Sequence, residues 1–178
     1  MDELTRILLS SALGFIGTLV GASITWWVTS RVAKTQVVFD LYREFNSDPL
    51  LTSRHKAQNS LSLFDKSPVT LDQMFSTLSA DERAHIWNIV HFYEKLYLFI
   101  KYKRCDTKFV PALFGEVFFW WYLNCFEMKL IPIQDREASI RLKALKTWFE
   151  KKTPKEEIAR WVSRAARTAK ESIGASSV

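Results

Sequence analysis

The sequence predicts an all-α protein, with one N-terminal transmembrane helix followed by a cytoplasmic domain of five or six helices. Three observations carry that expectation. Residues Ile7 to Ser30, ILLSSALGFIGTLVGASITWWVTS, are 24 consecutive residues without Asp, Glu, Lys, Arg or His. The rest of the chain places apolar residues at helical spacing, with little of the alternation that marks strands. Glycine and proline number five each in 178 residues, so loops should be few and short.

At about 1.5 Å per residue the uncharged stretch would reach roughly 36 Å as a helix, enough to cross a hydrocarbon core of about 30 Å with some tilt. A cleaved signal peptide has a shorter apolar run and an A-x-A-like end. This stretch closes instead on Trp26 and Trp27, whose indoles suit headgroup depth. Asp2, Glu3 and Arg6 precede it, whereas Arg31, Lys34 and Arg43 follow. The cation excess on the C-terminal side assigns that side to the cytoplasm and the short tail to the outside. The expected division is 1–30 for tail and span, 31–46 for a juxtamembrane helix continuous with it, and 47–178 for the cytoplasmic domain.

Ser10, Gly14, Gly17, Gly21 and Thr25 follow steps of 4, 3, 4 and 4, so they share one helix face. Helices in lipid associate by close backbone approach, which small residues permit. This seam is the expected site of homo-oligomerisation; the alternative is the ordinary abundance of glycine in membrane helices. With no charge inside it, the span offers no proton relay or transport site of the usual kind.

Beyond the membrane, Val32, Gln36, Phe39, Tyr42 and Phe45 continue a helical stripe, so one helix is expected from Thr5 to Asn46. Asn46-Ser47-Asp48-Pro49 breaks it. Leu50 to Phe64 reads as a second helix. Thr70-x-x-Gln73 and Ser79-x-x-Glu82 fit capping boxes. The latter should open a helix to about Lys103 whose inner face is Ile86, Val90, Tyr93, Leu96 or Tyr97, and Ile100. Asp106 is a candidate cap for the next helix.

Phe109 to Phe126, FVPALFGEVFFWWYLNCF, carries one charge, Glu116. It is read as the central helix of the core; a second span, or an interfacial edge at Trp120-Trp121-Tyr122, is the alternative. Gln134 to Lys152 follows, with Ile140, Leu145, Trp148 and Phe149 inward. Thr153-Pro154-Lys155-Glu156 is a helix start, with Thr as cap. The last helix should bury Ile158, Trp161 or Val162, Ala165, Ala169 and Ile173, and end at Gly174.

The formal net charge is +6, from 25 basic and 19 acidic residues. Residues 1–128 hold 13 of each, so the whole excess lies in 129–178, with 12 basic and 6 acidic. Arg160, Arg164 and Arg167, at steps of 4 and 3, should line one face of the last helix, with Lys143 and Lys146 on the helix before. Arginine forks suit phosphate oxygens. The candidate partner is an anionic nucleotide or cyclic oligonucleotide; anionic lipid or plain solvent are the other readings. No duplex-binding motif is present.

Catalytic patterns are absent: no G-x-S-x-G, P-loop, G-x-G-x-x-G or H-E-x-x-H occurs. Glu82-x-x-His85 and His91-x-x-Glu94 lie on one expected helix with the two histidines six positions apart, which is poor geometry for a shared metal. Neither a cofactor nor a metal is expected. Cys105 and Cys125 match no zinc or redox spacing and should be free thiols. These features point away from an enzyme.

Phe92 to Tyr122 resembles a family of small bacterial and prophage proteins of unassigned function, with one N-terminal span and a compact helical domain. Tyr93-Glu94, Asp106 and Trp120-Trp121 carry the resemblance, over about residues 80–150. It implies a bacterial inner-membrane location and brings no catalytic assignment with it. In architecture the chain also resembles small membrane effectors of antiphage systems, CRISPR-associated ones included, some of which sense cyclic nucleotides and then impair the membrane. A membrane scaffold or adaptor recruiting a protein partner is the rival expectation.

Overall fold

A computed structural model describes residues 2–62, 71–127 and 137–175; within the helices, the side chains of 4–13, 62, 71–72 and 168–175 are outside the description. Among the described residues the chain is all-helical. Helix α1 is Glu3–Phe45, α2 Asp48–Ser62, α3 Leu71–Thr77, α4 Ala80–Lys101 and α5 Val110–Trp121. A π-helical turn, Tyr122–Phe126, continues α5, and α6 (Glu137–Lys152) and α7 (Lys155–Ala175) complete the fold.

Helix α1 runs unbroken for 43 residues. Asn46 ends it, its backbone and side-chain nitrogens both donating to the Tyr42 carbonyl. Pro49 then fits the first turn of α2, where its missing N–H is not needed. The two ends of α1 have different surroundings. From Gly14 to Thr29 every residue is exposed. Further on, Val38, Leu41 and Phe45 are buried in the core, so the stretch from Val38 to Phe45 packs on the body. The expected continuation of the helix through Val32, Gln36, Phe39, Tyr42 and Phe45 forms, and the residues of that stripe differ in burial. Of its five members only Phe45 is buried; Gln36 is exposed, as are Val32, Phe39 and Tyr42. Phe39 and Tyr42 flank the contact, their rings 5.8 and 6.0 Å from Phe109 and Phe114.

Among the described residues no helix is long and apolar enough to cross a membrane. Residues 7–13 of the uncharged stretch, however, lie among the side chains outside the description, so the expected span falls partly there.

Helix α4 is the centre of the body. Its capping box forms as expected: Glu82 N donates to Ser79 Oγ at 3.2 Å, and Ser79 N donates to Glu82 Oε2 at 2.8 Å. Ile86, Val90, Tyr93, Leu96 and Ile100 are buried, joined by Ile89 and Phe92. Tyr93 is fully buried among Phe45, Phe92, Phe118 and Phe126, with centroids 5.1–6.0 Å away. Among the described residues its hydroxyl has no hydrogen-bond partner. Burial pushes that phenol well above its ordinary range. Arg54 lies over the Phe45 ring at 4.2 Å, and desolvation lowers its pKa.

Helix α5 and its π turn occupy the interior. Val110, Phe114, Phe118, Phe119, Trp121, Tyr122, Cys125 and Phe126 are buried. The central-helix reading accounts for this burial, and the second-span and interfacial-edge readings do not. Asp106 is not a helix cap. Phe109 holds that position without a side-chain bond, and Asp106 Oδ1 accepts from Lys108 N instead. It also clamps α1: its N–H donates to the Lys34 carbonyl at 3.1 Å and its Oδ2 accepts from Thr35 Oγ1 at 3.3 Å.

On α6, Leu142, Leu145 and Phe149 face inward, but Ile140 is 58 % exposed, against expectation. The inner stripe starts at Ser139, which puts Ile140 one residue off it. Thr153 does not cap α7: its Oγ1 is buried without a partner among the described residues, and the Pro154 carbonyl accepts from Glu157 N and Ile158 N. Trp161 and Ala165 are buried and Val162 is exposed; Ala169 and Ile173 are outside the described side chains. The helix continues through Gly174 to Ala175, so Gly174 is not its stop. The expected box at Thr70 and the end of the second helix at Phe64 also lie outside the described residues.

Candidate functional site

Helices α6 and α7 bring the expected cations onto the surface with different surroundings. Arg160 and Arg167 are exposed on α7, and Lys143 is exposed on α6. Arg164, between the two arginines, reaches α5 and donates to both carboxylate oxygens of Glu116 at 3.0 Å. Lys146 lies 2.9 Å from Glu150 and over the Tyr122 ring at 5.4 Å. Among the described residues two of the five cations therefore have carboxylate partners. An incoming phosphate would have to compete with those carboxylates at Arg164 and Lys146.

The ridge is held in place by one close packing contact. Trp161 stands on Gly115 of α5, where an added Cβ would lie 2.2 Å from the indole. Its ring also meets Phe119 at 5.7 Å and Phe149 at 6.5 Å. Asn124, within the π turn, donates to the Ala165 carbonyl at 3.4 Å. A π turn carries one more residue per hydrogen-bonded ring than an α turn, which re-aims side chains near functional surfaces.

The seam glycines contrast with Gly115. Among the described residues a Cβ at Gly14, Gly17 or Gly21 would meet nothing within 4 Å, so none of them requires glycine there. Thr25 Oγ1 donates to the Gly21 carbonyl at 2.9 Å, and Thr18 Oγ1 to Gly14 at 2.9 Å. Such back-bonding satisfies hydroxyls without water, as a lipid environment demands. Ser10 lies in the same helix, its side chain outside the description.

The histidines have separate environments. His85 Nδ1 meets Ser53 Oγ at 3.0 Å, while its Nε2 is 3.4 Å from Asp81 Oδ2. His91 stacks on Trp87, Glu94 binds Arg141 at 3.0 Å, and Glu82 closes its own capping box. Among the described residues no three His, Cys, Asp or Glu side chains gather as a metal site.

One cluster escaped the sequence reading. The clamp at Asp106 sets Lys101, Lys103, Arg104 and Lys108 beside Arg31 and Lys34, and all six are exposed. The signal was present as KYKRCDTK, residues 101–108, but it was hidden in the charge balance of residues 1–128. No family model, curated protein or solved structure matches the chain.

Proposed function

We propose that the protein is a non-enzymatic, single-pass membrane sensor or effector, whose helical body binds an anionic nucleotide ligand and acts on the membrane through α1. One observation carries the membrane part: α1 leaves the body with its apolar side chains exposed on every side. Phe15, Ile16, Leu19, Val20, Ile24 and Val28 are 46–67 % exposed. Burying such a side chain fully contributes about 1.5–3 kcal/mol, so six half-exposed ones forgo roughly 5–9 kcal/mol in water. That is comparable with the whole stability of a domain, about 5–15 kcal/mol. A bilayer around residues 7–30 removes this deficit, and the glycine seam supplies a face for self-association.

The ligand surface is the ridge of Arg160, Arg164 and Arg167 with Lys143 and Lys146. The test uses the full chain in detergent, titrated with cyclic oligonucleotides and mononucleotides by calorimetry. Saturable binding that weakens at least about tenfold in Arg160→Ala/Arg167→Ala/Lys143→Ala is expected, each charged hydrogen bond being worth about 1.5–3 kcal/mol. Absent or unchanged binding would remove the ligand. In that case the adaptor reading takes over, which the Arg164–Glu116 and Lys146–Glu150 pairs favour, because they neutralise part of the ridge internally. The seam is tested apart: Gly17→Leu/Gly21→Leu should reduce crosslinked oligomers in detergent, and unchanged crosslinking would count against it.

A further inference from the structure

We propose that the α4–α5 loop, with the adjoining turn of α1, is a docking surface for anionic phospholipid headgroups of the leaflet that α1 leaves. The proposal rests on the single-pass reading of α1 and adds to it a second, charge-selective contact with the bilayer.

Position comes first. Helix α4 runs antiparallel to the body end of α1: Lys95 pairs with Glu44, and further along the Asp106 N–H bonds the Lys34 carbonyl. The α4–α5 loop therefore lies against the turn of α1 that follows Ser30. Lys34 is four residues past Ser30, about 6 Å along the helix, within a headgroup layer of about 5–8 Å. The clamp holds the loop at that depth.

Charge comes second. Arg31, Lys34, Lys101, Lys103, Arg104 and Lys108 are exposed there. The loop's one carboxylate, Asp106, is half-buried and bonded to Thr35 and Lys108 N. Aromatic rings accompany the cations: Trp27 lies under Arg31 at 5.5 Å, and the 63 %-exposed Tyr102 is 5.7 Å from Lys101 Nζ. Cations beside interfacial aromatics are the arrangement that meets an anionic leaflet. Between α1 and α4 a groove of about 880 Å³ opens, with Lys34, Lys103 and Arg104 along it.

Backbone strain is the third observation. Lys103 has φ 55°, the one non-glycine residue of positive φ among the described residues. Its N–H bonds the Ile100 carbonyl and the Arg104 N–H bonds the Phe99 carbonyl, the double closure that usually employs glycine. A side chain in that conformation costs about 1–2 kcal/mol. The fold accepts the cost, and the result is a cation at the proposed contact.

The experiment uses the full chain in vesicles and nanodiscs of phosphatidylcholine, with or without phosphatidylglycerol. Resistance to alkaline extraction reads the span; lipid retained per protein, by native mass spectrometry, reads the loop. The wild type should enrich phosphatidylglycerol over phosphatidylcholine. Lys101→Gln/Lys103→Gly/Arg104→Gln/Lys108→Gln should lower that enrichment at least tenfold, since each surface cation contributes about fivefold. Lys143→Gln/Arg160→Gln/Arg167→Gln should leave it unchanged. Lys103→Gly alone should raise the urea midpoint while lowering enrichment, a pair of opposite shifts that a structural role would not produce. A protein that resists extraction yet enriches equally with and without the loop cations overturns the inference and leaves the span. Full extraction overturns the span reading and the inference with it.

Discussion

Gly115→Ala tests whether the Trp161 contact is what seats the basic helix on the core. The new methyl would lie 2.2, 2.5 and 2.8 Å from three indole carbons. Carbon atoms settle at about 3.5 Å or more, so the ring must retreat by about 1.3 Å. Phe119 and Phe149 stand against that ring, and the indole cannot bend. Overpacking of this kind costs about 1–3 kcal/mol, and the upper end fits a rigid obstacle. Alanine in a helix recovers about 1 kcal/mol over glycine. The net loss should be about 2 kcal/mol. In a Trp161→Ala background the obstacle is gone, so the same substitution should stabilise by about 1 kcal/mol. The sign reverses between backgrounds, and the coupling is about 3 kcal/mol. Urea unfolding of the four full-length proteins in one detergent, followed by circular dichroism, measures it. Gly115→Ala that stabilises the wild-type background would refute the contact.

Two further outcomes concern buried polar groups. Tyr93→Phe removes a hydroxyl that is buried without a partner among the described residues, so it should leave stability unchanged or raise it by up to about 1 kcal/mol; a measurable loss in urea unfolding would reveal a missing partner. Burial, helped by the charge of Asp106, pushes the Cys105 thiol from its ordinary 9.0 to about 11. Above pH 9 the unfolded chain then sheds this proton while the folded chain keeps it. The unfolded state binds fewer protons, so stability falls with rising pH. Burial likewise moves the Tyr122 phenol from 10.0 to about 12 and extends the fall. Cys105→Ser should flatten the decline between pH 9 and 11, and an unchanged slope of urea midpoint against pH would exclude the thiol as its source.

Where local chemistry decides, the sequence was readable. Ser79 and Glu82 announce the start of α4, and the stripe from Ile86 to Ile100 is buried as its spacing implies. The 109–126 segment was legible because it is apolar all round, and only a core position satisfies that alongside Pro111 and Glu116. Faces were harder to place. Ile140 sits one residue off the true stripe of α6, and spacing alone does not separate the centre of a face from its margin. Thr153 follows the capping pattern, yet its hydroxyl is buried away from the backbone it should cap. Of the proposed ridge, the residue pattern located the arginines but not Glu116, 48 residues earlier, which occupies Arg164. The loop cluster depends on Thr35 meeting Asp106 across 71 residues, a juxtaposition no local pattern encodes.

The unbroken course of α1 also fixes an angle. Gly14 and Val38, Gly17 and Leu41, and Gly21 and Phe45 are each 24 residues apart. At 3.6 residues per turn that separation leaves the core-facing stripe rotated by about 120° from the seam. Two copies joined through the seam would therefore carry their bodies splayed to the flanks of the pair, not pressed together. Twisting either α1 about its own axis would swing its body around the dimer like an arm on a shaft.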